Sequence, residues 1–151
     1  MSRSVTHRAH NEKLPKIVVD MAADLFHAGH IAFLRKVRAR FPSAHVTVWL
    51  CTDEQILGYK GKTPIVNYAS RKAVLEACSL VDAVVQSPDE HTSAALEPFD
   101  FLCHGDDLFD WDEKTKERFY GVAMRENKLV TVPYTEGIST TQLIERCKEM
   151  T

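Results

Sequence analysis

A chain of 151 residues is long enough for one ordinary domain with a sizeable core, and nothing in its length calls for two. Lys and Arg total 19 against 21 Asp and Glu, a formal net charge of -2, so there is no general electrostatic case for a nucleic-acid or anionic-membrane partner. No apolar run approaches the roughly 20 residues of a membrane span, the start has no apolar signal core, and Cys51, Cys78, Cys103 and Cys147 form no C-x-x-C pair, so the chain reads as a reduced, cytoplasmic protein. Residues 1–14 form a polar N-terminal tail ahead of a domain over 15–151. Apolar, β-rich runs then recur at Lys16 to Met21, His45 to Thr52, Val81 to Gln86, Phe99 to His104 and Leu129 to Pro133. Between them, Gly29 to Phe41, Tyr68 to Leu80, a short piece near His91 to Leu96, Glu113 to Glu126 and Ser139 to Glu149 carry helical patterns. Near-continuous apolar runs such as Val46-Thr47-Val48-Trp49-Leu50 suit strands covered on both faces. The alternation predicts an α/β fold, a doubly wound, parallel, five-stranded, Rossmann-like sheet in a single domain.

In such sheets ligands sit beyond the carboxyl ends of the strands, where the strand order reverses. The segments leaving those ends hold much of the unusual polar content. The first, Asp24-Leu-Phe-His-Ala-Gly-His30, sets His27 and His30 three apart around Gly29 at a strand-to-helix turn, where a helix N-terminus attracts anions. His27, His30, Leu34, Val37 and Phe41 share one helical stripe, so a hydrogen-bonded core histidine is an equally simple reading of His30. Zinc held by the two histidines and Asp24 is a further reading that no cysteine pair or partner cluster supports.

Three more segments follow. Gly58-Tyr-Lys-Gly-Lys-Thr-Pro64 reads as a flexible loop carrying Lys60 and Lys62; it is not a Walker A loop, because Ile56 stands where the first glycine belongs. His104-Gly105-Asp106-Asp107 ends a strand with acids that suit a ribose hydroxyl, a divalent cation or a plain turn. In Tyr134-Thr135-Glu-Gly137-Ile138-Ser139-Thr140-Thr141-Gln142, Ser139 and Gln142 have capping-box spacing, and three hydroxyls with free backbone N–H groups make a phosphate cradle.

Taken together, His27-Ala-Gly-His30, Tyr59-Lys60-Gly61, Arg71, His104-Gly-Asp-Asp107 and Glu136-Gly-Ile-Ser-Thr-Thr141 resemble the ordered motifs of the cytidylyltransferase family over about residues 16–149. The resemblance implies in-line attack of a phosphate or phosphonate oxygen on the α-phosphorus of CTP, with release of pyrophosphate. It implies catalytic roles for His27 and His30 at the α-phosphate and for Lys60 between that phosphate and the acceptor's. Nucleotide contacts are implied for Ala22, Ala23, Asp24 and Gly29, for Arg71, for His104, Gly105 and Asp106, and for Gly137, Ile138, Ser139 and Thr140. Lys62, Tyr134 and Thr135 fall to the acceptor. Mg²⁺ is implied as a cofactor bound through the triphosphate, with no protein-built metal site, and a homodimer as the assembly.

The chain also departs from the family pattern. Tyr134 stands where the family places an arginine, Met21-Ala22-Ala23-Asp24 replaces a G-T-F-D-type turn, and Ser79-Leu80 replaces an arginine-tyrosine pair at a dimer contact. These changes point to a divergent member acting on a small phosphorylated alcohol or a phosphonate. The alternatives are an adenylyltransferase of the same superfamily and a nucleotide-binding regulatory domain without turnover.

Overall fold

The computed structural model describes residues 13–151; residues 1–12 of the expected tail lie outside the described residues. Five strands alternate with helices: β1 (Lys16–Met21), α1 (Ala28–Arg40), β2 (His45–Leu50), α2 (Asp53–Lys60), α3 (Tyr68–Glu76), β3 (Ala83–Gln86), α4 (Ser93–Leu96), β4 (Phe101–Gly105), a 3-10 turn (Asp106–Asp110), α5 (Glu113–Arg125), β5 (Leu129–Val132) and α6 (Thr140–Glu149). All strand pairs are parallel and the sheet order is β3-β2-β1-β4-β5. The chain therefore moves outward from β1 to β3, returns past β1 to β4, and opens a crevice at the carboxyl ends of β1 and β4.

Both faces of the sheet are covered, which is why its central strands are apolar at nearly every position. Ile17 and Val19 of β1 pack with Val46, Val48 and Leu50 of β2 beneath Leu34 and Val37 of α1 and Leu75 of α3. Val18 faces the other way, with Trp49, Leu102 and Leu96, beneath Tyr120 and Ala123 of α5. The strand alternation thus sorts one apolar run into two cores.

Three expected boundaries shift for local reasons. The start of the flexible loop expected over Gly58 to Pro64 is instead the end of α2: Thr52 and Gln55 form a reciprocal capping box, and Gly61 ends the helix in the left-handed region at φ 72. Lys60 is therefore a helix-terminal residue rather than one on a flexible loop. The helix expected to reach Leu80 stops at Glu76, because Arg38 binds the Leu80 carbonyl through Nε and Nη2 and the Asp82 carboxylate at 2.8 Å, pinning that segment as a turn. The same Asp82 carboxylate accepts from Val46 N–H, and β3 begins only at Ala83. The short helix expected from His91 starts at Ser93 behind its Thr92 cap, which leaves His91 in the connection before it.

Arg71 fastens the sheet edge. Its side chain is 1% exposed. It donates to the carbonyls of Val66, Ala22 and Cys51 at 2.9, 2.7 and 2.7 Å and to the Asp53 carboxylate at 2.6 Å. One guanidinium thus joins the exits of β1 and β2 to the starts of α2 and α3. Arg71→Met leaves three carbonyls and a carboxylate without their donor, and breaking such a buried arrangement costs about 3–5 kcal/mol. Urea unfolding is expected to register a loss of that size; a loss under about 1 kcal/mol would show that other contacts hold the edge.

Candidate active site

A cavity of about 930 Å³ opens at the carboxyl edge of the sheet, within the size range of small-ligand sites. It runs from the N-termini of α1 and α6, past the end of α2, to the inner side of α5.

At one end stand His27 and His30. His27 is the N-cap of α1, and its Nδ1 accepts from Gly29 N–H at 2.9 Å. His30 Nδ1 accepts from His27 N–H at 3.0 Å, closing a reciprocal cap built from two imidazoles. Gly29 is required for this fold-back, since a Cβ there would lie 2.7 Å from His27 Cε1. The cap also decides the tautomers. Each Nδ1 is used as an acceptor, so in the neutral rings each Nε2 carries the hydrogen and is a donor. The rings lie 4.0 Å apart, and His30 also stacks on Phe26 at 5.1 Å. Burial, then the charges of His27 and Lys60, push the His30 pKa from its ordinary 6.5 down to about 4, with Asp24 opposing. Burial lowers His27 as well.

The N-terminus of α6 faces this pair. Ser139 caps it by accepting from Gln142 N–H, and Thr140 Oγ1 donates to the Asp24 carbonyl at 2.8 Å while lying 3.5 Å from His27 Nε2. The Thr140 hydroxyl hydrogen is therefore spent within the protein. What remains for an anion is the Ser139 and Thr141 hydroxyl hydrogens and the first N–H groups of a 10-residue helix. Ile138, Ala22, Gly29, His104, Gly105, Tyr134 and Thr135 line the cavity with them, as does Lys60 at the C-terminus of α2. Thr135 Oγ1 accepts from Lys36 Nζ at 2.8 Å, which anchors its segment to α1.

Six residues expected at the ligand do not line the cavity. Arg71 is buried behind it with its donors spent on backbone and Asp53. Asp24 is 7% exposed, and its carboxylate accepts from Ile65 and Val66 N–H at 2.8 and 2.9 Å, holding the chain after α2. Ala23 is buried at φ 53, in the left-handed region that makes the turn sharp enough to bring Asp24 under that chain. Asp106 accepts from Tyr134 N–H at 2.9 Å, so Asp107, not Asp106, faces the cavity. Lys62 lies exposed beyond the helix cap, and Gly137 belongs to a groove on the outer side of α6. These groups build the rim rather than the wall.

Asp20, Trp111 and Tyr120 also line the wall and are not among the residues expected from the motifs. Asp20 of β1 is the register partner of Trp49 on β2, and His104 follows Cys103, the register partner of Val19. Asp20, Trp49 and His104 therefore stand in a row on one face of the sheet. Tyr120 of α5 roofs them and donates to Asp20 Oδ2 at 2.7 Å. Asp20 Oδ1 is buried and has no partner among the described residues. His104 and Trp111 flank Tyr120 at 5.1 and 5.7 Å between ring centroids. A lone carboxylate oxygen thus sits in an aromatic surround. The one signal available in sequence was a charged residue inside an otherwise apolar strand. Cys51 also lines the cavity, but burial pushes its thiol up to about 12, which excludes it as a nucleophile. Among the described residues no group of three His, Cys, Asp or Glu side chains is placed to hold a metal ion, and no helix is long and apolar enough to cross a membrane.

A parallel five-stranded sheet with paired histidines at the first strand-to-helix turn and a capped last helix facing them is the architecture of a nucleotidyltransferase-type domain. The cytidylyltransferase-like family model matches residues 22–146, and the chain belongs to that family. It is 32% identical over 87% of its length to a probable choline-phosphate cytidylyltransferase of Schizosaccharomyces pombe. It is 33% identical over 90% of its length to an ethanolamine-phosphate cytidylyltransferase of Dictyostelium discoideum. These matches span 36% and 37% of those proteins. The glycerol-3-phosphate cytidylyltransferase of Bacillus subtilis is 32% identical, with 87% of this chain and 96% of that protein aligned. Among solved structures, the lipopolysaccharide core biosynthesis protein of Thermoplasma volcanium shares the fold, with a TM-score of 0.63 at 19% identity over 82% of this chain and all of that one.

The lowered His30 pKa makes stability depend on pH. Between about 4 and 6.5 the unfolded chain binds a proton at His30 that the folded protein refuses, so stability falls as pH drops through that window and is unaffected by this group above it. Denaturant unfolding of the wild type and His30→Gln across the window is expected to give a shallower pH slope for the variant. Equal slopes would mean that His30 is not held neutral.

Proposed function

We propose that the protein transfers CMP from CTP to a small acceptor with a phosphate or phosphonate at one end and a cationic nitrogen at the other, releasing pyrophosphate. The observation that carries this reading is a single cavity lined by His27, His30 and Lys60, whose imidazoles keep Nε2–H donors, and by Asp20, whose buried Oδ1 has no partner among the described residues. An isolated carboxylate oxygen in an aromatic surround favours a cation, by charge and by the ring faces of Tyr120 and Trp111. A polyol phosphate would meet it with neutral hydroxyl donors only, without the charge attraction that a cation adds.

The chemistry follows from the donors. Attack on the α-phosphorus builds negative charge on its equatorial oxygens and on the bridging oxygen of the departing pyrophosphate. His27 and His30 donate through Nε2 there, held in one tautomer by their mutual cap, so no reorganisation is needed as charge develops. The N-terminus of α6 receives the outer phosphates. His30, Lys60, Cys51 and Asp20 all line this cavity, and the Lys60 charge lowers the pKa of both His30 and Cys51. We assign Lys60, which lines the cavity with His30 and Asp20, to the charge between the α-phosphate and the acceptor's phosphate, with the acceptor head toward Asp20. Magnesium fits this site as a passenger on the triphosphate, which this ion prefers, since the phosphate end offers donors rather than carboxylates.

Because His27 is also an N-cap, His27→Asn separates its two roles. Asparagine keeps a good cap and removes the Nε2–H donor. Pyrophosphate release is expected to fall roughly 10²- to 10³-fold while thermal stability stays near that of the wild type; a variant with near-normal turnover would remove His27 from the chemistry. Running the wild type with each nucleoside triphosphate tests the nucleotide: release with ATP alone favours adenylyl transfer, and nucleotide binding without release favours a regulatory domain.

The acceptor is tested at Asp20. Asp20→Asn is expected to lower kcat/KM about 10- to 100-fold for phosphoethanolamine, phosphocholine and 2-aminoethylphosphonate, the loss of a contact to a charged group. Glycerol 3-phosphate is expected to change by less than about threefold. An equal loss for all four acceptors would refute a cation at Asp20.

A further inference from the structure

One buried histidine on the cavity wall takes no part in the phosphate chemistry. His91, in the connection between β3 and α4, is 4% exposed yet lines the cavity. Its Nδ1 lies 2.8 Å from the Phe119 carbonyl oxygen. A carbonyl oxygen only accepts, so Nδ1 carries the hydrogen and, in the neutral ring, Nε2 is left as a bare acceptor. Among the described residues Nε2 has no hydrogen-bond partner, whereas Nδ1 does. The ring cannot swing away, because Trp49, Phe119 and Tyr120 hold it at centroid distances of 4.9, 5.7 and 6.1 Å. Its tautomer is the reverse of that at His27 and His30.

His91 shares its neighbours with the lone carboxylate. Trp49 is the register partner of Asp20, and Tyr120 donates to Asp20. Two acceptors without partners among the described residues, Asp20 Oδ1 and His91 Nε2, therefore border the same aromatic pair, Trp49 and Tyr120. This distinguishes between two kinds of cation. A trimethylammonium group has no N–H and is satisfied by charge and ring faces; methyl groups packed against a bare ring nitrogen strip it of water and return nothing. A primary ammonium has three N–H donors to place, and ring faces alone leave them unpaired.

We propose that His91 is a specificity-determining residue, whose Nε2 accepts an N–H from a primary ammonium head and so selects such acceptors over trimethylammonium ones. The inference rests on the transferase reading above and narrows its substrate class. Asp20 supplies the charge that any cation would use, and His91 supplies the discrimination.

The test is equilibrium binding of phosphoethanolamine and phosphocholine to the wild type, His91→Leu and His91→Gln, by titration calorimetry, with pyrophosphate release from CTP followed separately. The wild type is expected to bind phosphoethanolamine about tenfold or more tightly than phosphocholine. His91→Leu is expected to weaken phosphoethanolamine about 10- to 100-fold and to leave phosphocholine within about threefold. His91→Gln, whose amide oxygen still accepts, is expected to recover part of the loss. A wild-type preference for phosphocholine, an unchanged ratio in His91→Leu, or tighter phosphoethanolamine binding in that variant overturns the proposal; the last would mean a protonated ring that repels the cation. Should His91→Leu fail to fold, the wild-type ratio and His91→Gln still decide. Absence of pyrophosphate with every acceptor, alongside the expected binding ratio, counts against the transferase reading and not against His91.

Discussion

The buried guanidinium of Arg71 is the interaction on which the ligand edge depends. The exits of parallel strands present carbonyl groups that no neighbouring strand can satisfy, and a crevice kept open for a ligand cannot be filled with packing to compensate. Arg71 meets the Ala22, Cys51 and Val66 carbonyls from behind and is itself neutralised by Asp53. Asp24 performs the matching task for the N–H groups of Ile65 and Val66. With the backbone anchored from the rear, the front of the same turns is free to carry His27, His30 and Lys60.

Local hydrogen bonds then give the cavity its chemical polarity. The reciprocal cap consumes the Nδ1 atoms of His27 and His30 as acceptors, so that end offers hydrogens. At the opposite end the Phe119 carbonyl consumes the Nδ1 hydrogen of His91, and Tyr120 consumes only one oxygen of Asp20, so that end offers lone pairs. One residue type thus serves both ends, and its role is decided by the backbone group at its other ring nitrogen. That polarity is the ground for proposing an acceptor that is anionic at one end and cationic at the other.

Much of this was legible in the chain. Continuous apolar runs separated by helical patterns require a covered parallel sheet, and the H-x-G-H and I-S-T-T segments fall at strand exits because those are the places where helices start and need caps. The Thr52 to Gln55 capping box was equally present in the sequence, and its spacing marks the start of α2, whose end falls where a loop was expected. Arg71 and Asp24 could be recognised as belonging to the site, but not as its rear supports. A charged residue near a motif looks the same whether it faces ligand or backbone, and only the backbone groups it reaches, 42 and 49 residues away at the furthest, distinguish the two.

The sequence by itself therefore determined the fold class and the sheet edge at which the histidine pair lies, since each follows from short-range periodicity, turn chemistry and capping. Only the tertiary structure decided which polar groups remain free. Asp20, Trp49, His91, Trp111 and Tyr120 lie at four strands' exits and on one distant helix with no common spacing. They meet because parallel register sets β1 beside β2 and β4, and because α5 packs across that face. A residue's hydrogen-bonding capacity is fixed by its type, but what is left of that capacity for a ligand depends on partners brought from elsewhere in the fold.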